Sequence, residues 1–200
     1  MKQPLTRTQV ITLASLFIVI VVLALAFFLG GREERVVPPS SVLKDLEGPA
    51  PAVEGEGQKK TVTLFFASEA DGLLHLEERE VEAGPTPAQE AGRVLDELVK
   101  GSRVGNLAVL PPDTRVRQVY FTRDGIAYVD FSGELSADHP SGSEAELATV
   151  FAVVNTLAYN YKDVKRVFIL IDGTERESLG GHVRLDRALF PNYSLVAQQP

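Results

Sequence analysis

The residues Val10 to Leu29 are apolar except for Thr12 and Ser15. As a helix, this run would span roughly 30 Å, the thickness of a bilayer's hydrocarbon core. It predicts a single transmembrane signal anchor. The run is long for a cleaved signal peptide and its end, Ala26-Phe27-Phe28-Leu29, is bulky. Gly30 and Gly31 leave cleavage as the alternative. Residues 1–9 are expected to be a short cytoplasmic tail. Long domains translocate largely regardless of charge, so the tail is expected inside and the remainder outside the cytoplasmic membrane. Residues 30–58 are rich in Pro, Gly and Glu and read as a linker with a reach of roughly 30 Å.

The patterning then changes to that of a folded domain over residues 59–192, with 193–200 as a tail. Thr61 to Ala67 is a β-branched and aromatic run, a strand. Leu73 to Glu82 alternates partly and predicts a more exposed strand. Thr86, Pro87 and Gln89 form a helix start, with Thr86 as cap. Ala91, Val94, Leu95, Leu98 and Val99 supply its apolar face and Gly101 its stop. Arg115 to Thr122 alternates strictly, Asp124-Gly125 predicts a two-residue turn, and Ile126 to Phe131 returns. Ser143 and Glu146 have capping-box spacing ahead of a second helix with Leu147, Val150, Phe151, Val154, Leu157 and Ala158 on one face. Val164 to Ile171 predicts a central strand ending at Asp172-Gly173, and the stretch from Leu179 to Leu185 a turn and short edge strand. The order is β(β)αββαβ. The fold class is α+β, with two helices packed on one face of a small, mainly antiparallel or mixed sheet.

Charge narrows the partners. Lys2 and Arg7 are the only charges ahead of the apolar run, so the rest carries 18 basic and 27 acidic residues, a net −9. That argues against nucleic acid and against anionic headgroups as main partners. With no cysteine, disulfides, thiolate metal sites and cysteine nucleophiles are excluded.

Five segments in order resemble the GerMN domain of sporulation, germination and envelope proteins: Val62 to Phe66; Leu110-Pro111-Pro112-Asp113-Thr114-Arg115-Val116; Asp124 to Ser132; Val154-Asn155-Thr156-Leu157; and Phe168 to Gly173 through Leu179-Gly180-Gly181-His182. The resemblance implies a fold like the ring-building motif of secretion and sporulation machines, and no established catalytic residues. It implies envelope proteins or further copies of the chain as partners, beside the membrane held through Val10–Leu29. The chain has one such domain where the family's tandem form has two.

Asp130, Glu134, Asp138 and His139 lie between a strand and the second helix. Oxygen ligands in a loop can hold calcium, but this spacing matches no metal loop. Together with Ser136 and Glu144 these residues are a candidate interaction surface. His182 follows two glycines, with Asp172, Ser178 and Asp186 near it in sequence. A general base would need an orienting carboxylate and a nucleophile within reach; the alternative is a tight turn whose histidine bonds to backbone. No catalytic, cofactor or metal residues are assigned. The leading expectation is a non-enzymatic interaction and assembly module of the bacterial envelope. The alternative is a peptidoglycan or wall-glycan binder using Tyr120 and Tyr128, or Tyr159, Tyr161 and Tyr193. A hydrolase using His182 comes third.

Overall fold

The computed structural model describes residues 57–198. The predicted anchor at Val10–Leu29 and the linker lie outside the described residues. Among the described residues no helix is long and apolar enough to cross a membrane.

The elements are β1 (Lys59–Ala67), β2 (Leu74–Glu82), α1 (Pro87–Val99), β3 (Val116–Phe121), β4 (Ile126–Phe131), the one-turn α2 (Glu134–Ala137), α3 (Ser143–Asn160), β5 (Arg166–Ile171), β6 (Thr174–Glu175) and a 3-10 turn at Tyr193–Leu195. They form two sheets, and this corrects the single sheet expected. β1 and β2 pair only with each other, and β3-β4-β5-β6 make a separate four-stranded sheet. β4 and β5 run parallel and the other ladders are antiparallel. A parallel pair needs a crossover, which α2 and α3 provide. Each long helix touches strands of both sheets, so the helices join the sheets instead of lying on one face of one sheet.

Local chemistry accounts for the elements. Thr86 Oγ1 accepts from Gln89 N at 3.2 Å and Pro87 opens α1, as the sequence predicts. Ala91, Val94, Leu95 and Leu98 are fully buried. α3 is buried on nearly every side, including Val150, Val153, Val154 and Leu157, where the sequence indicated a single face. β2 carries the inward charges Glu77 and Arg79, both buried. The Arg79 guanidinium grips Glu77 and donates to the Glu97 and Gly101 carbonyls at 2.9 and 2.6 Å. It thereby satisfies acceptors that the end of α1 leaves open. Ser102 Oγ and Arg103 N complete the Glu77 carboxylate. A buried ion pair with its remaining polar atoms bonded is tolerated in this way.

The turns differ from expectation in one of two places. Asp172 and Gly173 both have positive φ, 51° and 71°, and join the paired Ile171 and Thr174 as a two-residue turn. The other Asp-Gly sits in a three-residue loop. Thr122 and Ile126 are bonded across it, Gly125 N donates to Thr122 O, and Gly125 has φ 82°. This is a type I turn with a left-handed third residue. No strand forms over 179–185. The later chain instead makes single bridges, Val167 with Leu189 and Leu74 with Val196.

Candidate functional site

The parallel β4–β5 pair ends at Asp130-Phe131-Ser132 beside the Asp172-Gly173 turn. A bulge in β3 makes Arg117 the extra residue between Val116, paired with Phe131, and Gln118, paired with Asp130. Bulges re-aim side chains. Here Arg117 Nη1 reaches Asp130 Oδ2 at 3.2 Å and Asp172 Oδ1 at 3.4 Å. Asp130 is buried, and its other oxygen accepts from Gly173 N at 2.7 Å. Gly133 lies close beneath this cluster: a Cβ there would come 2.6 Å from Asp172 Oδ2 and push that carboxylate aside. Arg115, Arg117, Ser132, Gly133, Glu134 and Asp172 line a shallow depression of about 490 Å³. The Ser132 hydroxyl, then the Glu134 backbone N–H, hold the Glu134 carboxyl below the usual range, with Arg115 adding to this.

The six candidate surface residues divide in two. Asp130 and His139 turn inward. His139 Nε2 lies 2.9 Å from Thr149 Oγ1, whose proton goes to Val109 O at 2.5 Å. The ring nitrogen is therefore the donor in that contact. Glu134 pairs with Arg115 at 3.5 Å. Ser136, at the middle of α2, is half-buried, and Asp138 and Glu144 are exposed. Buried Leu135 holds α2 to the core.

The most constrained polar group is one that sequence reasoning assigned to a different task. Glu146 does not close a capping box with Ser143: Gly142 is the N-cap of α3 and no side chain bonds there. The fully buried Glu146 carboxylate turns instead to the Gly180-Gly181 loop. It accepts from Leu179 N at 3.0 Å, His182 N at 2.9 Å, Val183 N at 3.2 Å and His182 Nδ1 at 3.0 Å. Burial, the largest effect, opposes its charge. The backbone N–H groups of the 179–183 loop and the His182 ring outweigh it and hold the carboxyl at about 2. A Cβ on Gly180 would come within 3.2 Å of Glu146 Oε2, and Gly181 has φ 94°. The sequence signal was the acidic residue inside an otherwise apolar helix face. Its partner was not readable, because it lies 36 positions away.

His182 is thus oriented by Glu146, and neither Asp172 nor Asp186 is its partner. Asp172 serves Arg117, and Asp186 pairs with Arg184. Ser178 Oγ accepts from Gly181 N at 2.8 Å and so braces the same loop. His75 pairs with Asp71 at 2.9 Å on the surface. Among the described residues no three His, Cys, Asp or Glu side chains are close enough to hold a metal ion.

The tyrosines fall into separate places. Tyr120, Tyr128 and Phe168 occupy one row across β3, β4 and β5, on the face opposite the Val119, Val129, Ile169 row of the core. Tyr128 and Phe168 stack with centroids 5.4 Å apart. Tyr159 packs edge-on against Phe65, and Tyr161 donates to Glu90 at 3.1 Å. Tyr159 and Tyr193 are both about half exposed. Two asparagines of α3 act as pieces of backbone. Asn155 exchanges two hydrogen bonds with Asn192, at 3.0 and 2.9 Å, and Asn160 does the same with Thr63, at 2.9 and 2.7 Å.

This arrangement has counterparts. The model of the Germane family, described as sporulation and spore germination, matches residues 63–177, from β1 past β6. The tandem GerMN domains of the sporulation protein GerM from Bacillus subtilis are 26% identical, with a TM-score of 0.53. The alignment covers 66% of this chain and 46% of that one, so the chain spans about half the length of the tandem structure. The first GerMN domain of the same protein is 25% identical, with a TM-score of 0.51, over 66% of this chain and 97% of that one. No curated protein matches the chain. With more than half its length matched by the family model, the chain belongs to the Germane family of sporulation and spore germination, and its domain is GerMN-like.

Proposed function

We propose that the protein is a non-enzymatic interaction and assembly module of the bacterial cell envelope, held at the cytoplasmic membrane through Val10–Leu29 with its domain outside. The observation that carries this reading is how the polar groups are used. Glu146, Ser178, Asp130 and Asp172 bond to loops and strands of their own domain and so hold the shape of its surface. The surface so held is the stretch from α2 into α3, where Ser136, Asp138 and Glu144 are displayed. Tethering raises effective concentration, so contacts too weak to persist in solution become populated. Photo-crosslinkers at Ser136 and Glu144 in full-length protein, in native membranes, test it. Crosslinked species larger than the monomer are expected. Monomer alone, at native abundance, would sink the reading.

A second reading, a wall-glycan binder, is favoured by the partly exposed Tyr120 and Tyr128, paired side by side on the sheet, since aromatic rings stack on the apolar faces of sugars. Co-sedimentation with isolated peptidoglycan, abolished in Tyr120→Ala with Tyr128→Ala, would move it ahead.

A further inference from the structure

The chain is acidic, yet cations gather at one end of its domain. The three-residue β3–β4 turn, the start of α1 and the turn after α3 enclose a cavity of about 550 Å³. Phe121, Ile126, Tyr161 and Val164 give it apolar walls, and Arg123, Lys162 and Lys165 line it as well. All three cations are exposed, and among the described residues none of them is ion-paired. The nearby acids are mostly engaged: Asp124 with Arg166 at 3.8 Å, and Glu90 with Lys60 at 2.7 Å. Asp163 is the remaining acid on the lining. The two turns are fixed to each other. Gly125 O accepts from Lys165 N and Arg166 N, and a Cβ on Gly125 would lie 2.7 Å from Asp163 O. The three cations are therefore carried on one rigid rim.

This is also the end at which the chain enters the domain. Thr63 of β1 is bonded to Asn160, which lines the cavity, and the Lys60 ammonium lies 5.2 Å from the centre of the Tyr161 ring. The sequence ahead of β1 leads back to the apolar run at Val10–Leu29. Net charge alone pointed away from anionic lipids; the placement of charge reverses that for this one end.

We propose that the cavity rim docks on anionic lipid headgroups of the membrane that holds the protein, with Arg123, Lys162 and Lys165 taking phosphate oxygens. The proposal rests on the membrane-tether reading given above. Lysine and arginine near an anionic surface are each attracted modestly, and the tether supplies the concentration that makes a modest attraction sufficient. The acidic remainder of the surface is repelled, which favours this end facing the bilayer over any other.

The test uses the full-length chain in vesicles. It has no cysteine, so Pro87→Cys, at the cavity, and Glu144→Cys, at the far end of α3, each accept one fluorophore. Quenching by a headgroup-labelled lipid is read in phosphatidylcholine vesicles with and without phosphatidylglycerol. Quenching of the label at position 87 is expected to rise with phosphatidylglycerol and return to the phosphatidylcholine level in high salt. It is also expected to return to that level when Arg123, Lys162 and Lys165 are all replaced by Glu, with the label at 144 unaffected throughout. Single Gln replacements stand in if the triple variant melts early. Quenching indifferent to phosphatidylglycerol, or to the charge changes, overturns the docking while leaving the tether intact. Failure to float with phosphatidylcholine vesicles overturns the tether reading, and the docking with it.

Discussion

One carboxylate, Glu146 in the first turn of α3, accepts both the backbone N–H and the ring Nδ1–H of His182, 36 residues later. The Gly-Gly loop is thereby anchored to the helix start by a buried charge. Replacing Glu146 by Gln keeps the shape but turns amide hydrogens toward N–H donors. The loss expected is about 2–4 kcal/mol, read from denaturant midpoints. His182→Ala removes only the ring contact and should cost about 1 kcal/mol or less. Equal losses would mean that the ring, and not the loop backbone, is what Glu146 holds.

The same group sets a pH dependence. Its folded-state carboxyl is held at about 2, below the ordinary 4.5 of an unfolded chain. The stabilisation is fully present above that ordinary value and is lost as pH falls toward about 2. Of order 3 kcal/mol is at stake, since each pH unit between the two values is worth about 1.4 kcal/mol. Melting curves from neutral pH down to strong acid should show the wild type converging on Glu146→Gln. A constant gap between the two would refute the assignment.

Three glycines should respond differently to alanine. Gly92 stands mid-helix with open space where a Cβ would go, so Gly92→Ala should stabilise by up to about 1 kcal/mol. Gly125→Ala should lose more than that, because its φ is 82° and a Cβ would fall 2.7 Å from the backbone Asp163 O. Gly133→Ala should lose less than Gly125→Ala, since φ −60° suits alanine and the atom in the way, Asp172 Oδ2, ends an exposed side chain. Thermal melts of the three variants decide it, and stabilisation by Gly125→Ala would contradict the packing described.

Asn155→Ala and Asn160→Ala each remove both bonds of a two-bond clasp and leave a backbone N–H and C=O without their partner. Each should destabilise by about 2–4 kcal/mol. Hydrogen exchange should speed up at Thr63 N–H in the Asn160 variant and at Asn192 N–H in the Asn155 variant. Unchanged protection would mean that the strands hold without the clasps.

What was readable in the chain was local. Thr86-Pro87 announces α1 because cap and first-turn residues are neighbours, and Asp172-Gly173 announces its turn because two positive φ values need those residue types. What was not readable depended on partners far away. Ser143 and Glu146 have the spacing of a capping box, but spacing cannot show that a better set of N–H donors waits at 179–183. Asp124-Gly125 has the same two letters as the other turn. The Thr122 hydroxyl, bonded to Ile126 N at 3.0 Å and within 3.1 Å of Ile126 O, closes a longer loop instead. The alternation of Arg115 to Thr122 could not reveal the bulge at Arg117, whose reason is Asp130 and Asp172. Nor could strand patterns show that β1 and β2 stand apart from the other four, since each strand looks alike whichever neighbour it finds.

The Thr63–Asn160 clasp joins positions 97 residues apart. During synthesis, β1 and β2 leave the ribosome first, but the helix that covers β1 follows roughly a hundred residues later. Contacts of such long reach are formed late, and until then an apolar strand such as Thr61 to Ala67 stays uncovered. For nearly half of its translation the chain therefore carries a hairpin whose α3-facing side is bare, and its yield in cells should depend on chaperone supply more than the stability of the finished fold would suggest.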